Sequence, residues 1–320
     1  MTNAEILERL RKVRILVIGD CMVDHYIYGD VNRVSPEAPV PVVHVVREHH
    51  TAGGAANVAL NLVALGAQSE VIGCVGDDAM GRRLTQSLDS ADVETKRFYK
   101  SNAPTIVKTR VVARTQQVCR LDYELERAKY ALTNRDGFRE TIRSAMKESD
   151  AVIISDYAKG VVSQELMNVV LRAGLELGVM ISVDPKPIRQ INIRGASLLT
   201  PNRSEALELA GMEEPGSGVE YPLDEVIGRI HDRYAPAMLV VTLGAEGMAV
   251  SRLGEKTSIL PTAAREVFDV SGAGDTVIAC LTGTLAAGGD LETAARFAND
   301  AAGLVVAKTG TATVTADELR

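Results

Sequence analysis

Tryptophan is absent from these 320 residues, and aromatic side chains make up only 4% of them. Surfaces that grip single-stranded nucleic acid stack bases on aromatic rings, so that class of function lacks its material. Clustered cations are also missing. The formal charge is −7 with no Lys/Arg stripe, which speaks against nucleic-acid and anionic-membrane partners. No apolar run reaches membrane-spanning length, and the opening "MTNAEILERLRKVRILVIGD" has no apolar core ahead of its charges. A cytoplasmic, soluble protein is expected. Cysteine is sparse: Cys21, Cys74, Cys119 and Cys280 lie far apart with no CxxC pair, each in an apolar stretch. Buried free thiols are expected rather than a zinc site or a disulfide framework.

Two nucleotide signatures are lacking as well. No Gly-Lys dipeptide occurs, which excludes a standard P-loop, and "VIGDCMVDH" after the first apolar run has no GxGxxG. An NAD oxidoreductase loses its main support.

What is present is a chain 46% hydrophobic and 24% charged, enough for a large core. "RILVIGD" (Arg14–Asp20) is an apolar run ending in Gly-Asp, as in a parallel strand buried on both faces. Strand-like and helical runs then alternate: "SEVIGCVGDD" precedes "AMGRRLTQSLDSA", "AVIISDYAKG" precedes "SQELMNVVLRAGLELG", and "SLLTPN" precedes "RSEALELAG". That order predicts an α/β fold with a mainly parallel central sheet between two helical layers. Ligands of such sheets bind beyond the strand carboxyl ends, where Asp20, Asp156, Asp184, Asn202, Gly244 and Asp269 fall. Two stretches break the alternation. Pro36, Pro39 and Pro41 among β-branched residues between Tyr26 and Val46 predict edge strands of a small separate sheet. Pro104–Glu124 predicts a hairpin around a Thr115-Gln116-Gln117 turn. Segments of about 26–47 and 97–124 are therefore assigned to a β lid on one domain spanning 1–320.

Three motifs carry chemistry. In "DVSGAGDTVIAC" (Asp269–Cys280), Gly272, Ala273 and Gly274 precede an acid at the start of an apolar helix. The unpaired N–H groups there attract anions, and Asp275 is then either a base accepting a hydroxyl proton beside a transferring phosphoryl group or a helix cap. Its ionised form is expected to be favoured by the helix dipole. In "GGAANVALNLVALGA" (Gly53–Ala67), Gly53, Gly54 and Asn57 suit a polyhydroxylated ligand, or form a turn entering a helix. Asp20 and Asp24 suit sugar hydroxyls or a capped loop.

Together and in this order, "GD…D", "GGAANVA", the β lid, "TPNRSE", "VTLGAEG" (Val241–Gly247) and "DVSGAGDT" resemble the ribokinase-like, phosphofructokinase-B type family of ATP-dependent sugar kinases. The resemblance runs along essentially the whole chain. "RVSPEAPVPVV" (Arg33–Val43), "TRVVARTQQVCRLDYE" (Thr109–Glu124), "SDYAKG" (Ser155–Gly160), "VDPK" (Val183–Lys186) and "AKTGTATV" (Ala307–Val314) further resemble the branch acting on D-glycero-β-D-manno-heptose 7-phosphate. Many members of that branch carry a C-terminal adenylyltransferase domain; this chain stops at Arg320, so a stand-alone kinase is expected.

The resemblance implies roles. Asp275 is the base, with Gly272, Ala273 and Gly274 as the anion hole. Asp24, Gly53, Gly54 and Asn57 hold sugar hydroxyls. Asn202, Arg203, Ser204 and Glu205 organise Mg²⁺, its waters and phosphate, Glu205 acting through water, and an oxygen-rich site suits Mg²⁺. Thr242, Gly244 and Gly247 border ATP, and Asn299 lies near the adenine. Asp269 and Ser271 stand where some relatives bind a monovalent cation. The substrate's own phosphate needs cations: period two puts Lys108 and Arg110 on one lid face, and Lys159 and Lys186 follow core strands.

The resulting expectation is an ATP- and Mg²⁺-dependent kinase of the anomeric hydroxyl of heptose 7-phosphate, working as a homodimer joined through the lid because its strand edges need cover. A kinase of another sugar phosphate, such as a ketohexose phosphate, and a non-catalytic sugar- or nucleotide-binding regulator are the alternatives.

Overall fold

A computed structural model describes residues 1–114, 116–216, 218–264 and 266–320. The first part of the chain forms α1 (Asn3–Leu10), β1 (Arg14–Gly19), β2 (Cys21–Val34), β3 (Pro41–Gly54), α2 (Ala55–Ala64), β4 (Gln68–Ile72), β5 (Cys74–Gly76) and α3 (Ala79–Asp89). Next come β6 (Tyr99–Ser101), β7 (Val107–Ala113), β8 (Gln116–Tyr123), α4 (Phe138–Lys147), β9 (Ala151–Ser155), α5 (Gln164–Leu177) and β10 (Met180–Asp184). The remainder is β11 (Leu198–Leu199), α6 (Arg203–Ala210), α7 (Leu223–Tyr234), β12 (Met238–Thr242), β13 (Met248–Arg252), β14 (Ser258–Leu260), α8 (Ala273–Ala286) and α9 (Leu291–Val305).

The large sheet runs β14-β13-β12-β11-β10-β9-β1-β4. It is parallel from β4 to β12 and antiparallel at β12–β13 and β13–β14. The apolar run in β1 is continuous because both faces are covered. Ile15 and Val17 join one core with α1, α2, α8 and α9; Leu16 and Ile18 join the other with α4, α5, α6 and α7. This is the expected three-layer arrangement. No helix among the described residues is long and apolar enough to cross a membrane.

A second sheet, β3-β2-β7-β8, stands apart. β3 is one of its two edge strands and Pro41 opens it, which a ring without an N–H permits. The sheet starts earlier than the alternation suggests, because β2 and β3 stay paired from Val34–Pro41 down to Cys21–Gly54. Residues 99–101, inside the expected second lid segment, instead pair with β5 in a separate ribbon. In the expected hairpin turn, Thr115 lies outside the described residues, and Gln116 and Gln117 already belong to β8. Burial of all four cysteines is corrected too: Cys21, Cys74 and Cys280 are buried, but Cys119 is exposed on β8, an edge strand exposed along its whole length.

Candidate active site

The site gathers at the carboxyl ends of β1, β9 and β10, under the lid and around the start of α8. Gly54 turns the chain from β3 into α2 with φ +61°, and a Cβ there would lie 2.3 Å from the Asp20 carbonyl oxygen. Only glycine fits. A Cβ on Gly53 would lie 2.5 Å from Asp24 Oδ2, so this glycine admits the carboxylate itself.

α8 begins after Gly272, whose φ is +82° and whose Cβ would meet Asn57 Nδ2 at 2.9 Å. Asp275 sits in its first turn, buried, and caps nothing. Its Oδ2 accepts from Asn57 Nδ2 at 2.8 Å and its Oδ1 from the Tyr157 hydroxyl at 2.7 Å. The cap reading is thereby excluded. The dipole does not dominate as expected: burial pushes the carboxyl up to about 6, aided by the Asp24 charge and opposed by Asn57, Tyr157 and Lys108. It is still largely ionised at neutral pH.

The three residues of the expected anion hole differ. Ala273 donates its N–H to the Val270 carbonyl at 3.2 Å, closing a turn. Gly272 and Gly274 have no backbone acceptor among the described residues. Gly274 is exposed, and a Cβ on it would meet nothing within 4 Å. The open space in front of it, not crowding behind it, is what a larger residue would fill.

Asp24 Oδ1 accepts from Arg110 at 2.5 Å and Oδ2 from Thr311 Oγ1 at 3.0 Å. Arg110 also lies over the Tyr26 ring. Lys108 shares that face, with its ammonium 5.2 Å from the centre of the Tyr157 ring, and burial lowers its pKa, helped by Lys159, Arg110 and Arg120. Lys159 joins this group but pairs with Glu124 at 2.5 Å. Lys186 does not join it as expected; it binds Glu205 Oε1 at 2.8 Å.

Asn202 and Glu205 form a reciprocal capping box on α6, each side chain accepting the other's backbone N–H at 3.0 Å. That leaves Glu205 beside Asp184, whose carboxyl is pushed well up by burial and by the charges of Glu205 and Asp275. Arg203 and Ser204 turn elsewhere, Arg203 to Glu246 and Ser204 to Glu214 at 3.4 Å. Thr242 donates its backbone N–H to Pro201. Gly244 is open around its missing side chain, whereas a Cβ on Gly247 would lie 2.0 Å from the Leu260 carbonyl. Asn299 bonds the Pro261 carbonyl at 2.7 Å. Asp269 accepts from Ser271 N at 2.9 Å and Gly310 N at 3.0 Å, stapling the α8 entry to the 310 turn.

Asp20 proves to be the loop holder of its two readings: it accepts backbone N–H groups of Tyr157, Lys159 and Val161, each at 2.9 Å. Tyr157, Asp184 and Thr311 are residues to which sequence reasoning gave no role. Their signal was position alone: Asp184 ends β10, Tyr157 follows β9 by two residues, and Thr311 lies in a segment noted only for its resemblance.

Residues 12–318 match the family described as pfkB family carbohydrate kinase. The bifunctional protein HldE of Klebsiella pneumoniae is 40% identical over 314 residues, 98% of this chain and 64% of that protein. HldE of Coxiella burnetii is 42% identical over 311 residues, 97% of this chain and 63% of that protein. The chain thus spans just under two thirds of these relatives' length. Among solved structures, Arabidopsis thaliana ribokinase complexed with ribose and ATP superposes with a TM-score of 0.77 at 22% identity, over 96% of this chain and 97% of that one. Escherichia coli phosphofructokinase-2 in complex with potassium gives 0.77 at 20%, over 96% and 97%. These two speak to the fold alone. Because the family match runs from the residues before β1 past the end of α9, it takes in the whole large sheet, the lid and the Asp275 turn, and the chain belongs to the pfkB family of carbohydrate kinases.

Proposed function

We propose that this kinase transfers the terminal phosphoryl group of ATP to the anomeric hydroxyl of D-glycero-β-D-manno-heptose 7-phosphate. The observation that carries the reading is Asp275, buried and doubly hydrogen-bonded, beside the Gly274 N–H, which has no backbone acceptor among the described residues, and the open space before it. The acceptor's O–H bond breaks toward Asp275 while its oxygen bonds phosphorus and the bond to ADP breaks; the N–H groups of Gly272 and Gly274 stabilise charge on the moving group. Asp24, Gly53 and the Asn57 turn border the sugar. Lys108, Arg110 and Lys159 form a cationic face for the distal phosphate, and the segments Arg33–Val43, Thr109–Glu124 and Ala307–Val314, which resemble the heptose branch, favour that sugar. Gly244 and the Asn299 region border the nucleotide, whose use implies a cytoplasmic setting.

Asp184 and Glu205 fit Mg²⁺: both are oxygen donors, and burial, with the charges of Glu205 and Asp275 added to it, raises the Asp184 carboxyl, a cost that a bound cation would relieve. Bound there, the ion would neutralise phosphate charge. A monovalent cation at Asp269 would share a carboxylate already accepting from Ser271 and Gly310, and forms no part of the reading. We further propose a homodimer through the lid, supported by exposed Val45, Val46, Val118, Leu121 and Tyr123 on its two edge strands; light scattering that finds only monomer at micromolar concentration with sugar present contradicts it.

A coupled ADP-release assay over a sugar-phosphate panel tests the reaction. Preference for heptose 7-phosphate supports it; preference for a ketohexose phosphate reassigns the sugar, and no turnover on any sugar leaves a binding regulator.

A further inference from the structure

We infer that Tyr157 is a positioning residue for the transfer: its phenol fixes the orientation of Asp275 and holds that carboxylate in its proton-accepting form. The inference deepens the kinase reading and rests on it. The Tyr157 hydroxyl donates to Asp275 Oδ1 at 2.7 Å, and a hydrogen bond to the charged form of an acid favours that form. The phenol's own pKa is pushed far up by burial and by the Asp275 charge, so it remains a donor throughout the working pH range.

The loop that presents Tyr157 is fixed from beneath. Asp20 takes three of its backbone N–H groups. Asp156 accepts the Ala158 N–H at 2.8 Å, and Arg189 bridges Asp156 and the Val162 carbonyl, both at 2.5 Å. Ala158 itself is held at φ +56°, a conformation a residue with a Cβ keeps only where its surroundings impose it. So many constraints on six residues serve placement of a side chain, and the one placed against the base is Tyr157.

The groups facing Asp275 are Asn57 from α2, Tyr157 from the loop after β9, Asp24 from β2, Lys108 from β7 and Asp184 from β10. Asn57, Tyr157 and Lys108 favour the ionised form; burial, Asp24 and Asp184 oppose it. Lys108 also lies over the Tyr157 ring, so a probe must keep the ring.

Tyr157→Phe does so and removes only the hydroxyl. Two measurements apply: the pH dependence of kcat/KM between pH 5 and 9, which reports the free enzyme's groups, and titration of the Asp275 carboxyl by infrared difference spectroscopy in the ligand-free protein. Loss of one charged hydrogen bond should move the acid limb, which starts at about 6 in the parent, upward by about one pH unit. The deficit is then roughly fivefold at pH 6 and slight at pH 8, with KM for both substrates unchanged. A deficit equal at every pH, or an unmoved carboxyl midpoint, overturns the role. The infrared measurement needs no sugar, so absence of turnover on any sugar would refute the kinase reading separately from it.

Discussion

Asn57 Nδ2 and Asp275 Oδ2 lie 2.8 Å apart across the contact of α2 with α8. That bond joins two glycine turns, one entering α2 and one entering α8. A further polar link backs it: Thr276 Oγ1 donates to Asn61 Oδ1 at 3.0 Å, and Asn61 donates to the Asn57 carbonyl at 2.9 Å. The base is thus placed from the same helix whose entry borders Asp24. Asn57→Ala should lower kcat ten- to hundredfold, corresponding to a charged hydrogen bond of about 1.5–3 kcal/mol, while leaving KM for ATP near the parent value. Steady-state kinetics with both substrates varied checks this; a rise in sugar KM alone would return Asn57 to direct sugar contact.

Burial of Asp275 has a consequence for stability. Its folded-state pKa of about 6 lies above the ordinary 3.8, so between those values the folded protein binds more protons than the unfolded chain. Stability then falls as pH rises through about 4 to 6 and stays reduced above it. Asp275→Asn lacks that slope, and its amide can accept from Asn57 and donate to the Tyr157 oxygen. It should be more stable than the parent at pH 8 by up to about 3 kcal/mol and closely similar at pH 4. Urea unfolding at the two pH values reads the difference; equal stability at pH 8 would show that no charge is held there at a cost.

The glycines divide by what lies behind them. Gly54→Ala places a Cβ 2.3 Å from a backbone oxygen at φ +61°, and the expected result is a large loss of folded protein. Gly274→Ala meets nothing within 4 Å and stands in a helical first turn, where alanine is the better former. It should unfold no earlier than the parent yet lose most ATP turnover, because its methyl fills the space assigned to the phosphoryl group. Thermal melts and kcat/KM for ATP, taken together, separate the two.

Among the cations, Arg110 is a compromised probe because its removal also unpairs Asp24. Lys108 forms no ion pair among the described residues, so Lys108→Met is the cleaner variant. At pH 8, where losing its support for ionised Asp275 costs little, it should cost roughly ten- to hundredfold in kcat/KM with heptose 7-phosphate and little with unphosphorylated heptose. Lys186→Met should instead raise KM for ATP, since its partner Glu205 belongs to the α6 entry. An equal Lys108 penalty on both sugars would assign that residue to lid support.

The fold was legible because its signals are local. The continuous apolar run ending in Gly-Asp marks a strand covered on both faces, and Pro41 opens an edge strand, whereas Pro36 and Pro39, expected in such strands, fall in the connection between β2 and β3. Asp275 and its glycines were legible for the same reason. Pairings between distant segments were not: nothing near Lys186 announces Glu205, and nothing near Tyr157 announces Asp275, 118 residues away. Cys119 misled because an apolar stretch in an edge strand looks like one in the core. Asp20 and Asp24 read alike as acids four residues apart, yet one turns to backbone N–H groups and the other to Arg110 and Thr311.

We propose above that Asp275 takes the acceptor's proton in phosphoryl transfer to heptose 7-phosphate. The most direct test of that step is phosphorus NMR of ATP and heptose 7-phosphate with the parent and with Asp275→Asn, alongside nucleotide and sugar binding by calorimetry. The account expects heptose 1,7-bisphosphate from the parent, and from the variant a rate lower by a factor on the order of 10²–10⁴ with binding of both substrates retained; near-parental turnover by Asp275→Asn would contradict it.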